Sequence, residues 1–137
     1  MSINMAVVGS REKYWAEMSN PKEYVYGIIS KYLDHFNAKT TIISGGSPAG
    51  GVDTWAREYA IDHEIPFKEY YPHYTLPSPE CYYVRNREIV DASHIIIAIL
   101  APNKTLSSSG TAYTVRYAKE KRKIIYIVDV NGHTIIS

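Results

Sequence analysis

Short apolar runs alternate along this chain with longer segments whose apolar residues recur every three or four positions. The runs predict five strands, at residues 3–8, 40–44, 66–71, 95–100 and 124–128. The longer segments predict helices at 22–36, 52–60, 80–91 and 110–122, and residues 12–21 are predicted to form an irregular loop. An Asn131-Gly132 turn favours a further short edge strand. This alternation is typical of an α/β, Rossmann-like three-layer domain with a five-stranded, mostly parallel sheet.

The composition is that of one soluble domain spanning residues 1–137. A net charge of +1 does not favour the broad basic surface of a duplex-DNA binder. Cys81 is the only cysteine, and the N-terminus has no signal-peptide pattern, so we expect a cytoplasmic protein. The most apolar stretch is too short to cross a bilayer, and we expect no membrane partner. The five histidines have no metal-ligand spacing, so we predict neither a metal nor a cofactor.

Three polar or glycine-rich loops follow predicted strands, and in a parallel sheet of this kind ligands bind beyond the carboxyl ends of the strands. Glycines at a helix start allow close backbone approach, and the free N–H groups there favour phosphate. A tight turn, or capping of a helix by Ser109, would explain the same residues without a ligand. The candidate phosphate-binding residues in these loops are Gly9, Ser10, Arg11, Ser44, Gly45, Gly46, Gly51, Ser109, Gly110 and Thr111.

Several side chains outside the glycines are candidates for the same cleft. Arg11 and Arg85 could grip phosphate bidentately, although either could also be an ordinary surface arginine. Asp53, in the first turn of a helix, either stabilises that helix or accepts a hydrogen bond from a sugar hydroxyl. The tyrosines of residues 70–74 could stack on a base, or could pack in a loop or a subunit interface.

The order of these motifs resembles the SLOG superfamily, with the YspA/YpsA-related branch as the nearest match. The resemblance covers nearly the whole chain. It rests on Gly9-Ser10-Arg11, Ser44-Gly45-Gly46, Gly51-Val52-Asp53 with Ala56, Arg85-Asn86, Asp91 and Gly110-Thr111. It implies a Rossmann-like fold that binds nucleotides or their derivatives, often as a homodimer, and it adds Asn86 to the expected ligand-binding residues.

Relatives in this superfamily include the Lonely Guy phosphoribohydrolases, which cleave the N-glycosidic bond of nucleoside monophosphates. They also include DNA-processing protein A, which binds single-stranded DNA. Arg85 matches the catalytic arginine of the Lonely Guy enzymes, but Tyr113 and Thr114 stand where those enzymes have glutamate. This loss argues against hydrolysis by the same mechanism unless Glu80 or Asp53 replaces the missing acid.

The leading hypothesis is therefore a sensor or binding domain for a nucleotide or nucleotide-derived small molecule. One alternative is a nucleoside-monophosphate N-glycosidase or nucleotide hydrolase, in which Arg85 would be catalytic. The second alternative is a single-stranded DNA binder that uses basic residues and tyrosines.

Overall fold

The computed structural model describes residues 2–46, 48–106, 110–132 and 134–136, without the side chains of 135 and 136. The strands are β1 (Ser2–Gly9), β2 (Lys39–Gly45), β3 (Phe67–Tyr70), β4 (Ile95–Ile99), β5 (Ile124–Val128) and β6 (Thr134–Ile136). The helices are α1 (Pro21–Phe36), α2 (Val52–Asp62), α3 (Glu80–Asp91) and α4 (Ala112–Glu120). No helix among these described residues is both long and apolar enough to span a membrane.

The strands form one sheet in the order β3-β2-β1-β4-β5-β6. The first five are parallel, and β6 pairs antiparallel with β5 at the edge. The predicted α/β Rossmann-like architecture with five parallel strands is thus confirmed. The alternation of strand and helix determines it, because each parallel pair needs a helical crossover.

The core is divided between the two faces of the sheet, since successive side chains of a strand point to opposite sides. Helices α1 and α2 pack on one face, against residues such as Met5 and Ile97. Helices α3 and α4 pack on the other, against residues such as Val8 and Ile96. All five residues of β4 are buried, which is why its sequence is continuously apolar rather than alternating.

The structure adds one short element to the prediction and shifts several element ends by one or two residues. A short 3₁₀ helix, Glu12–Trp15, lies in the segment predicted to be irregular. It is held by Trp15, which is buried and whose indole Nε1 donates to the carbonyl oxygen of Ser10 at 3.1 Å. Helix α4 begins at Ala112, two residues later than predicted. Packing of Trp15 against Tyr24 and Trp55 decides the first difference, and a local pattern does not reveal such contacts.

The chain leaves β1 and β4 toward opposite faces of the sheet, since α1 follows β1 on one face and α4 follows β4 on the other. The two loops part at Ser10, whose hydroxyl accepts a hydrogen bond from the backbone nitrogen of Ala101 at 3.0 Å. Strand order reverses at this point, and a crevice at the carboxyl ends of the strands is the expected ligand position in such a fold.

Candidate functional site

A cavity of about 540 Å³ lies at this crevice, a volume within the range of small-molecule sites. Its walls come from the end of β1, the loop after β4, the first turns of α2 and α4, and most of the length of α3. Eight of the predicted ligand-binding residues line it: Gly9, Ser10, Arg11, Asp53, Arg85, Asn86, Gly110 and Thr111. Residues from four distant parts of the sequence therefore meet at one place.

The glycine-rich segment after β2 contributes less to the cavity wall than its composition predicts. Ser44, Gly45, Gly46 and Gly51 are not among the described residues that line the cavity, whereas Gly50 is. Ser109 lies outside the described residues. These four residues lie outside the cavity lining, and their contact with a ligand stays a prediction.

The glycines instead permit close packing behind the cavity. Gly51 has a φ of 80°, and a Cβ there would lie 2.6 Å from the backbone nitrogen of Glu12 and even closer to the carbonyl oxygen of Ser10. A Cβ at Gly46 would collide with the ring of Tyr71. The absent side chains let the loops after β1 and β2 touch, and so they shape the cavity indirectly.

Gly45 has a more direct consequence because two charged side chains converge over it. The position that a Cβ would take at Gly45 is 2.5 Å from Nη1 of Arg85 and 3.1 Å from Oδ2 of Asp53. Arg85 comes from α3 and Asp53 from the first turn of α2. A glycine at the end of β2 thus leaves room for an arginine and an aspartate from opposite layers to approach each other.

Arg85 is a buried cation with incomplete hydrogen bonding. The residue is 8% exposed, and its Nε donates to Oδ1 of Asn86 at 2.8 Å. Its Nη1 is buried and has no hydrogen-bond partner among the described residues. An unpaired buried donor on a charged group is costly, so such a group in a folded protein calls for an explanation. A ligand anion in the cavity would supply the missing acceptor.

Asp53 is a partly buried carboxyl group with a strongly altered acidity. Burial raises its pKa to about 7, from an ordinary value of 3.8. Arg85 and Arg11 act in the opposite direction, and the negative charge of Glu69 adds to the increase. Asp53 therefore exchanges a proton near neutral pH, directly beside the unpaired guanidinium nitrogen.

The described residues around the cavity carry an excess of positive charge. Arg11, Arg85, Lys104 and Arg116 line it, and Asp53 is the only carboxylate among the described lining residues. Arg11 and Arg116 are exposed, whereas Arg85 lies deeper. Because a cleft with one sign of charge concentrates ligands of the opposite sign, this arrangement favours an anion.

The aromatic residues of the cavity are not those that the sequence singled out. None of the tyrosines of residues 70–74 lines it, and Tyr71 and Tyr74 are 59% and 63% exposed. The aromatic lining residues are instead Tyr14, Tyr82, Tyr83 and Tyr113. Tyr82 could have been identified from the sequence, because it precedes Arg85 by three residues and therefore lies on the same face of α3.

The positions of Tyr113, Thr114 and Glu80 relative to the cavity bear on whether a carboxylate other than Asp53 faces a ligand there. Tyr113 and Thr114, which stand where the Lonely Guy enzymes have glutamate in the sequence resemblance, both line the cavity and bring no carboxylate to it. Glu80 lies outside the lining residues and bonds with Nη2 of Arg87 at 3.2 Å. Within the described ranges, no group of three or more His, Cys, Asp or Glu residues could hold a metal ion.

Comparison with known proteins identifies a related fold. The chain is similar to a structure of DNA processing protein A from Helicobacter pylori, with a TM-score of 0.60 and 20% sequence identity. The match covers 91% of this chain and 64% of that one, and the related protein is described as having a single-stranded DNA binding mode. No protein-family model and none of the curated proteins matches this sequence.

Proposed function

We propose that this protein binds a nucleotide or nucleotide-derived ligand in the cavity at the carboxyl end of β1, with a ligand phosphate on Arg85. The observation that carries the proposal is the buried Nη1 of Arg85, which has no hydrogen-bond partner among the described residues. A guanidinium binds phosphate oxygens through charge-assisted hydrogen bonds. Arg11, Lys104 and Arg116 line the same cavity and add to its attraction for an anion.

Ligand-induced stabilisation tests this proposal. We expect the melting temperature to rise with at least one member of a panel of nucleoside mono-, di- and cyclic phosphates, because a ligand specific for the folded state stabilises it. Failure of the whole panel to change the melting temperature at millimolar concentration would contradict the proposal.

Arg85→Ala tests the assigned contact. Because a charge-assisted hydrogen bond is lost, the affinity for the nucleotide that stabilises the wild type should fall by about 10- to 100-fold, as measured by calorimetry. Arg85→Lys should retain part of the affinity, because it keeps the charge but not the forked geometry. Lys31→Ala, which removes an exposed cation on α1 far from the cavity, is the matched control. Equal affinity in Arg85→Ala and the wild type would exclude Arg85 as the phosphate contact, and circular dichroism of each variant verifies its fold.

A second candidate is binding of single-stranded DNA, which the described activity of the structural neighbour favours. The exposed Arg11 and Arg116 at the rim would then contact backbone phosphates. Anisotropy of a labelled oligothymidine should show an affinity that falls steeply as salt increases. An oligonucleotide that does not bind at low salt removes this candidate and leaves the small-ligand proposal unaffected.

We also propose that the chain is a cytoplasmic SLOG-type domain of the YspA/YpsA-related branch and that it acts as a homodimer. Support for the family assignment comes from the motif residues Gly9-Ser10-Arg11, Arg85-Asn86 and Gly110-Thr111, which meet at one cavity as a shared ligand site requires. Light scattering on the purified protein tests the oligomeric state, and a monomer at micromolar concentration would contradict the dimer.

A further inference from the structure

Two tyrosines from adjacent helices form a stacked pair in the cavity wall. The rings of Tyr83 on α3 and Tyr113 on α4 have centroids 4.0 Å apart and planes inclined by 13°. Both residues line the cavity and both are half-buried. The pair is therefore a flat aromatic surface inside the site, rather than part of the apolar core.

Polar contacts hold Tyr113 in place. Its hydroxyl accepts a hydrogen bond from Nη1 of Arg87, and Nη2 of Arg87 donates to Glu80 at 3.2 Å. The guanidinium of Arg116 lies 5.5 Å from the centre of the Tyr113 ring. Tyr113 is thus contacted at its hydroxyl and on its ring, and it supports Tyr83 in a fixed orientation.

Tyr83 has a different environment. Its ring contacts Tyr113, and among the described residues no second aromatic ring or cation packs against it. A half-buried tyrosine with one ring face supported and the other without an aromatic or cationic neighbour is suited to receive a planar group. Nucleobases are such groups, and stacking on tyrosine is a common way for proteins to bind them.

The position of the pair relative to Arg85 fits a nucleotide. Tyr82 and Tyr83 lie about one helical turn, roughly 5 Å along the axis, before Arg85 and Asn86 on α3. Arg85 is buried beside Gly45 at the end of β2, whereas the tyrosines are nearer the start of α3. A phosphate on Arg85 would leave the rest of the ligand to extend along α3 toward the rings.

We propose that the Tyr83–Tyr113 pair is a base-binding wall, which makes the site selective for ligands that carry an aromatic base over phosphorylated sugars that lack one. This inference rests on the proposed nucleotide function, and it assigns specificity to residues that the glycine motifs do not include. Arg85 and the wall then have separate roles, since one binds the phosphate and the other selects the base.

Calorimetry with two kinds of probe tests the wall. The four ribonucleoside monophosphates contain phosphate, ribose and base, whereas ribose 5-phosphate lacks the base. We expect the wild type to bind at least one monophosphate about 10-fold or more tightly than ribose 5-phosphate. Tyr83→Leu should lose this preference and keep the affinity for ribose 5-phosphate, and Tyr83→Phe should retain the preference.

The outcomes separate the wall from the function on which it rests. Equal wild-type affinity for ribose 5-phosphate and every monophosphate would overturn the wall and leave phosphate binding intact. A Tyr83→Leu variant whose affinity for both probes falls equally would also overturn the wall. Tyr74→Leu, in the exposed loop before α3, is the control, and the same loss of preference in this variant would overturn the wall as well. No binding of any monophosphate by the wild type would overturn the wall, whereas the proposed nucleotide function fails only if the whole panel of mono-, di- and cyclic phosphates leaves the melting temperature unchanged.

Discussion

Replacing Asp53 with asparagine should remove a large, pH-dependent loss of folding stability. The pKa of Asp53 is about 7 in the folded state because burial disfavours the ionised carboxylate, against an ordinary value of 3.8. The folded protein therefore keeps a proton that the unfolded chain releases between these two pH values. The stability associated with the neutral carboxyl is complete below about pH 4 and is lost as the pH rises toward 7.

The size of the effect follows from the two pKa values. Each pH unit between them changes the free energy of unfolding by about 1.4 kcal/mol, so the ionised carboxylate costs about 4 kcal/mol above pH 7. A protein of this size has a total stability of about 5–15 kcal/mol, so this one group affects a substantial share. Asparagine has nearly the same shape and does not ionise, which removes the dependence while preserving the packing.

Urea denaturation of the wild type and Asp53→Asn at about pH 4.5 and about pH 8.5 measures the effect. The stability gained by the variant should be about 3 kcal/mol larger at the higher pH, a change of about 1.5 M in the midpoint for a slope of about 2 kcal/mol/M. Asp34→Asn, measured at the same two pH values, provides the control, because it makes the same chemical change at an exposed position on α1 outside the cavity. If the free energies of unfolding of Asp53→Asn and the wild type differ by the same amount at both pH values, the prediction is refuted.

Two further substitutions test how the loops behind the cavity are held. Ser10→Ala should lower the free energy of unfolding by about 1–3 kcal/mol, because the buried backbone nitrogen of Ala101 loses its acceptor. Urea denaturation measures this change, and an unchanged midpoint would contradict the prediction. Gly51→Ala should lower the free energy of unfolding by about 3 kcal/mol, because φ is 80° and the new methyl group would press on the backbone of Ser10 and Glu12. A variant that melts at the wild-type temperature would contradict this prediction.

The sequence alone determines the order of strands and helices, because that order depends on local periodicity. The continuous apolar run of residues 95–99 requires a strand buried on both faces, and the helical spacing of Val52, Trp55 and Tyr59 requires one face on a core. The parallel sheet then follows from chain connectivity, and the carboxyl ends of its strands follow as the location of the site. Arg11, Asp53 and Arg85 could be selected on this basis.

Only the tertiary structure decided which of the candidate site residues lie next to one another. Arg85 and Asp53 are separated by 32 positions, and their approach over Gly45 depends on how α2 and α3 pack from opposite faces of the sheet. The same packing brings Tyr83 against Tyr113, whereas the more conspicuous tyrosines of residues 70–74 lie outside the cavity. Contacts between layers depend on the rotation of each helix about its axis and on the space that small residues leave. Local patterns along the chain do not reveal either of these.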